Sequence, residues 1–223
     1  KKYNAFQHGK DGNCVLFDSK HNSYGFAINT DTHRFDTKEF NFTPVQENDS
    51  TVLMKLDFGK GVYFGIRYTL PKNSYLVRME VVQQNMAAVI SSNVSTMDFE
   101  WSQKMMRHEK GQTFEFYKFS GDNVENLSET SNDEDKTNNH LKWVAFKYQF
   151  FSCVLIADQH FIGAAPMKSA VIDKNSEEHN DFLKDVSFNS SLEYNVNNPK
   201  PAAFNFFLGP NEYKLLSSFD DKI

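Results

Sequence analysis

The 223-residue sequence has little glycine, proline or cysteine: 10 Gly, 6 Pro and 2 Cys. These counts exclude collagen-like chains, and two cysteines are too few for a disulfide scaffold. Positive charge is also in deficit, because 24 Lys and Arg stand against 29 Asp and Glu, a formal net charge of −5. No window concentrates basic residues as phosphate binding requires, so we expect no nucleic-acid partner.

Long apolar runs are missing as well. A helix that crosses a bilayer needs about 18 or more consecutive apolar residues. The best candidate, residues 143–157, is interrupted by Lys147, Gln149 and Ser152. We therefore expect no membrane span within these residues. The sequence also begins without an apolar leader, so we expect either a cytosolic protein or a piece that has lost its targeting segment.

Aromatic residues are abundant: 22 Phe, 9 Tyr and 2 Trp make up 15% of the chain, although only 39% of it is hydrophobic. Disordered chains lack such residues, so the composition predicts a folded core. Flat rings fill the space between two pleated sheets and favour strands. The composition therefore indicates a β-rich protein.

Apolar and polar residues alternate with period two along much of the chain. The alternation is clearest in residues 51–58, 62–70 and 75–82, which predict a three-stranded antiparallel meander. Residues 143–158 differ because they are apolar on both faces, which predicts a central strand covered on both sides. We find no internal repeat and no shift in composition, and we expect a single domain over residues 1–223.

Two segments depart from the strand pattern. Residues 121–140 are polar and aperiodic, which predicts a mobile loop between strands. Residues 211–219, after Gly209 and Pro210, predict a short amphipathic helix. No motif of nucleophilic catalysis is present, and the seven histidines lack metal-ligand spacing, so we expect no catalytic, metal or cofactor site.

Three segments resemble a known family: residues 13–17, 141–157 and 204–216. The most specific motif is Trp-x-Ala-Phe-Lys-x-Gln-Phe-Phe at 143–151, followed by Gly-Pro-x-x-Tyr-x-x-Leu at 209–216. Their order and spacing resemble the large periplasmic domain of YidC-type membrane protein insertases of the YidC/Oxa family, in the form found in Bacteroidetes. The resemblance covers nearly the whole chain. It implies a large twisted antiparallel β-sandwich, a mutarotase-like supersandwich, with a short C-terminal helix.

The resemblance also implies a function. The domain would be a docking or chaperone-like part of an insertase at the periplasmic face of the inner membrane, without catalysis of its own. Its partners would be nascent membrane proteins and Sec translocon components, and we expect the domain to be monomeric. Its link to the membrane part would lie in residues 209–219, where a rigid Gly-Pro turn and a short helix would set the angle at which the chain leaves towards the bilayer. By their position, the candidate coupling residues are Gly209, Pro210, Tyr213, Leu215 and Leu216. An equally weighted alternative is a packed helix that seals one end of the sandwich; both roles are compatible.

Two rival functions stay open. A carbohydrate-binding or aldose-epimerase-like sandwich would need a histidine and a glutamate that converge in a concave sheet, with His108, His140 or His160 as candidates. A surface adhesin-like β-domain is the other rival. If the domain is periplasmic, Cys14 and Cys153 meet an oxidising compartment; we predict that both are strand-core residues and remain thiols.

Overall fold

The computed structural model describes residues 15–16, 19–30, 33–108, 114–120, 123–137 and 140–219. Fifteen strands are found in this part of the chain: β1 (Asn22–Asn29), β2 (Arg34–Asp36), β3 (Thr43–Asn48), β4 (Thr51–Gly59), β5 (Val62–Thr69), β6 (Leu76–Gln84), β7 (Thr96–Met106), β8 (Phe114–Ser120), β9 (Asn123–Leu127), β10 (Asp133–Thr137), β11 (Leu141–Tyr148), β12 (Phe151–Phe161), β13 (Ala165–Val171), β14 (Phe182–Glu193) and β15 (Ala202–Pro210). The helices are three short 3-10 helices, Thr37–Glu39, Met86–Ala88 and Glu177–Asn180, and α1 (Tyr213–Leu216).

The strands form two antiparallel sheets. The six-stranded sheet has the order β10-β13-β14-β7-β1-β2, and the nine-stranded sheet has the order β3-β4-β5-β6-β15-β12-β11-β8-β9. The predicted meander is confirmed as β4, β5 and β6, which pair in sequence. The prediction of an all-β sandwich with one short C-terminal helix is confirmed. Among the described residues, no helix has the length and apolar character to cross a membrane.

Phenylalanine rings fill the space between the sheets. Phe99 of β7 lies at the centre of one cluster and has ring centroids 5.3 to 6.4 Å from four other phenylalanines. These four come from both sheets: Phe26, Phe161, Phe188 and Phe204. Such tilted and offset rings bury large apolar areas, so the aromatic composition has its physical role between the sheets.

Residues 143–158 form two strands where the sequence predicted one. β11 and β12 pair as a hairpin whose turn is Gln149 and Phe150, and β12 is flanked by β11 and β15 in the sheet. The prediction that both faces are covered is confirmed. One face belongs to the main core, and the other carries a separate apolar cluster that includes Trp143 and Val154.

The prediction of a loop over residues 121–140 is wrong for most of that segment. β9 pairs with β8 in one sheet, and β10 pairs with β13 in the other, so the chain crosses between the sheets over residues 128–132. Buried Lys184, 1% exposed, holds this crossover. Its Nζ donates to the carbonyls of Ser128 at 2.5 Å and Ser131 at 3.3 Å, and to Ser169 Oγ at 2.7 Å. Polar bonds rather than apolar periodicity stabilise the segment, which is why periodicity missed it.

Cys153 is buried on the core face of β12, and its Sγ lies 3.8 Å from the carbonyl oxygen of Leu16. Cys14 lies outside the described residues. The prediction of two thiols therefore stays a prediction.

Candidate functional site

The predicted Gly-Pro turn is wrong: Gly209 and Pro210 are the last two residues of β15. They pair with Ser152 and Phe151 of β12, and both are buried. Backbone N–H groups along β15 point alternately to its two neighbouring strands. The backbone nitrogen of Pro210 therefore points to the side on which β6 lies, as the N–H of Leu208 does. Because β6 begins at Leu76, whose partner is Phe207, strand pairing on that side has already ended and the missing N–H costs no ladder bond.

Gly209 is required by a close approach rather than by backbone conformation. A Cβ on Gly209 would lie 2.7 Å from Cζ of Phe207 and 2.9 Å from Cβ of Tyr75. Both Gly209 and Phe207 face the outer side of the nine-stranded sheet, since they are two residues apart on one strand. The absence of a side chain at 209 therefore makes room for the Phe207 ring to lie flat over the strand.

Asn211 ties the end of β15 to the β11–β12 turn. Its side-chain Nδ2 donates to the Tyr148 carbonyl at 2.8 Å, and its Oδ1 accepts from Ser152 Oγ at 2.6 Å. Its backbone N–H donates to the Phe150 carbonyl at 2.8 Å. Sequence reasoning did not select Asn211 as a site residue, because asparagine normally bonds to nearby backbone and these partners lie about 60 residues away.

The C-terminal helix lies on the outer face of the nine-stranded sheet. α1 has four residues, and its amides at Leu215 and Leu216 donate to the Glu212 carbonyl at 2.9 and 3.0 Å. Leu215, Leu216 and Phe219 pack on a cluster of buried residues that we call the seat: Trp143, Ala145, Val154, Ile156 and Phe207. The rings of Phe219 and Phe207 are 5.6 Å apart. The glycine at 209 thus indirectly shapes the surface on which the helix packs.

The predicted coupling residues separate into three groups. Gly209 and Pro210 belong to the sheet, Leu215 and Leu216 pack on the seat, and Tyr213 points to solvent with 79% of its surface exposed. The helix is packed, as the alternative predicted, but it covers the outer face of a sheet instead of sealing an end of the sandwich.

An ion pair marks the polar border of the seat. The two terminal nitrogens of the Arg78 guanidinium, Nη1 and Nη2, donate to the Asp158 carboxylate at 2.5 Å. These residues follow Leu76 and Ile156 by two positions, so they extend the same outer face. The hydrogen bond from Arg78 lowers the pKa of the Asp158 carboxyl. This charged pair therefore limits the apolar surface of the seat along β6 and β12.

The three candidate histidines lie at the two ends of β11, and of the three, His140 and His160 come together. The ring of His108 packs against Tyr148, with centroids 4.8 Å apart, at the end of β11. His140 and His160 lie 5.9 Å apart at the other end of that strand, next to Leu141. Seven residues of strand separate the two ends by about 23 Å.

His108 is buried, and its ring is bonded to the backbone. It is 7% exposed, and its Nε2 donates to the Val15 carbonyl at 2.8 Å. Burial lowers its pKa, which favours the neutral ring. Across the described residues, no group of three or more His, Cys, Asp or Glu is arranged to hold a metal ion.

Comparison with known proteins gives a consistent result. The family model described as YidC periplasmic domain matches residues 1–223. A membrane protein insertase YidC from Parabacteroides distasonis is 32% identical over 99% of this chain and 35% of the relative. Those from Bacteroides fragilis and Porphyromonas gingivalis are 34% and 32% identical over 92% of this chain, and 34% and 33% of their own lengths. The chain thus spans about a third of the length of these relatives.

Proposed function

Because the chain belongs to the YidC periplasmic domain family, we propose that it is the docking domain of an insertase, at the periplasmic face of the inner membrane. It assists the insertion and folding of inner-membrane proteins, either alone or with the Sec translocon. Its partners are nascent membrane proteins and Sec components. The relatives are named insertases, and we propose no catalytic step for this chain.

We further propose that residues 209–219 couple the sandwich to the membrane part of the insertase. The seat and Asn211 support this role. A four-residue helix is not stable on its own, since isolated helices shorter than about 12 residues are marginal in water. The position and direction of α1 therefore depend on contacts with the sheet. A segment held in this way transmits the orientation of a rigid sandwich to the polypeptide that follows it.

The hydrogen bonds of Asn211 make the coupling directional. The apolar contacts of Leu215 and Leu216 are non-directional and tolerate small shifts. Asn211, in contrast, bonds to Tyr148, Phe150 and Ser152 on one turn of the sheet. Because hydrogen bonds require defined distances and angles, these bonds determine where the chain leaves the sheet.

The test uses the full-length insertase that contains this chain. The double variant Asn211→Ala/Leu216→Ser removes the side-chain bonds and one seat contact while leaving the strands intact. We expect normal levels in the membrane but reduced insertion of a dependent substrate, measured by protease protection. Lys214→Ala is the matched control, because Lys214 is exposed on the same helix.

Insertion by the double variant at the level of Lys214→Ala would contradict the coupling role. Loss of the protein from the membrane would point to a folding defect, and the single variant Asn211→Ser, which keeps a short polar side chain, then separates folding from coupling.

A further inference from the structure

The most exposed large apolar side chains are found at one end of the nine-stranded sheet. They are Tyr213, Phe150, Leu70 and Val15, with 79, 53, 48 and 47% of their surfaces exposed. The other exposed large apolar residues in the described part of the chain are 37 to 43% exposed and lie elsewhere: Val124, Val45, Phe40 and Phe58. Single exposed apolar residues need no explanation, but four at one end indicate a contact surface.

Strand pairing brings the first three residues to the same end. Phe150 lies in the turn between β11 and β12, and Tyr213 follows Asn211, whose N–H donates to the Phe150 carbonyl. Leu70 begins the connection from β5 to β6, and β6 starts beside the last residues of β15. All three residues therefore lie in or next to strand connections at this end of the nine-stranded sheet.

Val15 reaches this end through a different contact. Its carbonyl accepts from Nε2 of His108, and the His108 ring packs on Tyr148 at the end of β11. The carbonyl of Tyr148 in turn accepts a hydrogen bond from Asn211 Nδ2. The N-terminal residue of the described chain and the C-terminal helix are thus held against the same turn.

Charged residues accompany the aromatic ones. Lys72, in the β5–β6 connection, and Lys214, beside Tyr213, are both exposed, and the exposed Glu212 precedes Tyr213 in the chain. Aromatic rings favour the headgroup level of a bilayer, and lysines with apolar stems reach anionic headgroups from there. A contact surface for a folded protein would instead be expected to have a centre that is depleted in charged residues and becomes fully buried in the complex.

We propose that this end of the domain rests on the lipid bilayer, with the side chains of Phe150 and Tyr213 at headgroup level. The proposal depends on the proposed function only for the presence of a membrane part. It adds a lipid contact, which would fix the height and tilt of the sandwich above the bilayer. Two aromatic residues give weak affinity alone, so the contact forms because the domain is tethered to the membrane.

Photo-crosslinking in the full-length insertase tests the proposal. p-Benzoylphenylalanine replaces Phe150 or Tyr213, one position at a time, and the insertase is reconstituted in vesicles of phosphatidylethanolamine and phosphatidylglycerol. Phe58 and Val124 are the matched controls, because both are exposed at the opposite end of the sheet. After irradiation, the phospholipid adducts are quantified by mass spectrometry.

We expect several-fold more lipid adduct at positions 150 and 213 than at 58 and 124. Equal yields at the two ends would overturn the proposal, as would adducts at 150 and 213 that form with protein rather than lipid. This result can be told apart from that of the coupling test. If the double variant Asn211→Ala/Leu216→Ser inserts its substrate normally, the coupling role is rejected, but lipid adducts at positions 150 and 213 are still expected. Conversely, absence of lipid adducts together with an insertion defect rejects the lipid contact alone.

Discussion

The two apolar clusters of the described chain differ in how they are covered. The main core lies between two sheets, and most of its side chains come from strands that are paired with neighbours. The seat lies on the outer face of one sheet, and its cover includes a four-residue helix and the turn that follows. Both clusters use aromatic rings and share β11, β12 and β15. Their difference is therefore in the covering element and not in the composition.

This difference separates the stability of the sandwich from the proposed coupling to the membrane part. A central strand of the core can leave only by breaking ladder bonds on both sides, so the core is expected to open with the whole sandwich. The helix on the seat can leave by breaking its apolar contacts and the bonds of Asn211, so it is expected to open at a lower free energy. An element that transmits orientation to another part of a protein is suited to such a locally held position.

The largest expected effect is in the main core. Phe99→Ala removes a ring that contacts rings from both sheets, and we expect a loss of about 3–5 kcal/mol in the free energy of unfolding. Chemical denaturation measures it. Tyr213→Ala, at an exposed position, serves as the control and is expected to stay within about 0.5 kcal/mol. A loss at Phe99 as small as that of the control would mean that the core is not shared by the two sheets.

A smaller effect is expected at the seat. Gly209→Ala places a methyl group against the Phe207 ring, and overpacking of this kind costs about 1–3 kcal/mol. The helix should respond more than the sandwich, so amide hydrogen exchange of residues 215–219 should accelerate while that of β7 changes less. The second change Phe207→Leu removes the clashing ring and should make the double variant less destabilised than the sum of the two singles. Strict additivity would contradict the close approach.

The smallest expected effect is a pH dependence of the free energy of unfolding, caused by His108, which bonds to the Val15 carbonyl. Burial lowers the pKa of its imidazole below the ordinary 6.5. The unfolded chain then takes up the proton at a higher pH than the folded chain. The stabilisation is complete above the unfolded pKa and is lost as the pH falls through the folded-state pKa. Urea unfolding at a series of pH values measures it, and His108→Gln should flatten the profile; an unchanged profile would assign the dependence to other groups.

Periodicity predicted most of the fold because strand formation leaves a local pattern. β4, β5 and β6 alternate in the sequence and in the structure. β10 was missed because it is a short edge strand of charged and polar residues, Asp133–Thr137. The lysine that holds the crossover before it, Lys184, is distant in sequence and gives no local signal.

Part of the local structure of residues 209–219 was predicted from the sequence. Leu215 and Leu216 have helical spacing, so their shared face was readable from the sequence. The surface beneath them was not, since it combines β11, β12 and β15. Gly209 was assigned to a turn because Gly-Pro favours turns locally. Pairing with β12 keeps it in a strand.

Local patterns alone were enough to define most of the strands, the aromatic filling and the short C-terminal helix, because each depends on residues that are near in the chain. Only the folded chain decides that Asn211 bonds to the β11–β12 turn, that Phe207 lies over Gly209, and that Phe150 and Tyr213 share one end. These contacts join residues separated by tens of positions. Sheet order and register bring them together, and neither is encoded in any single segment.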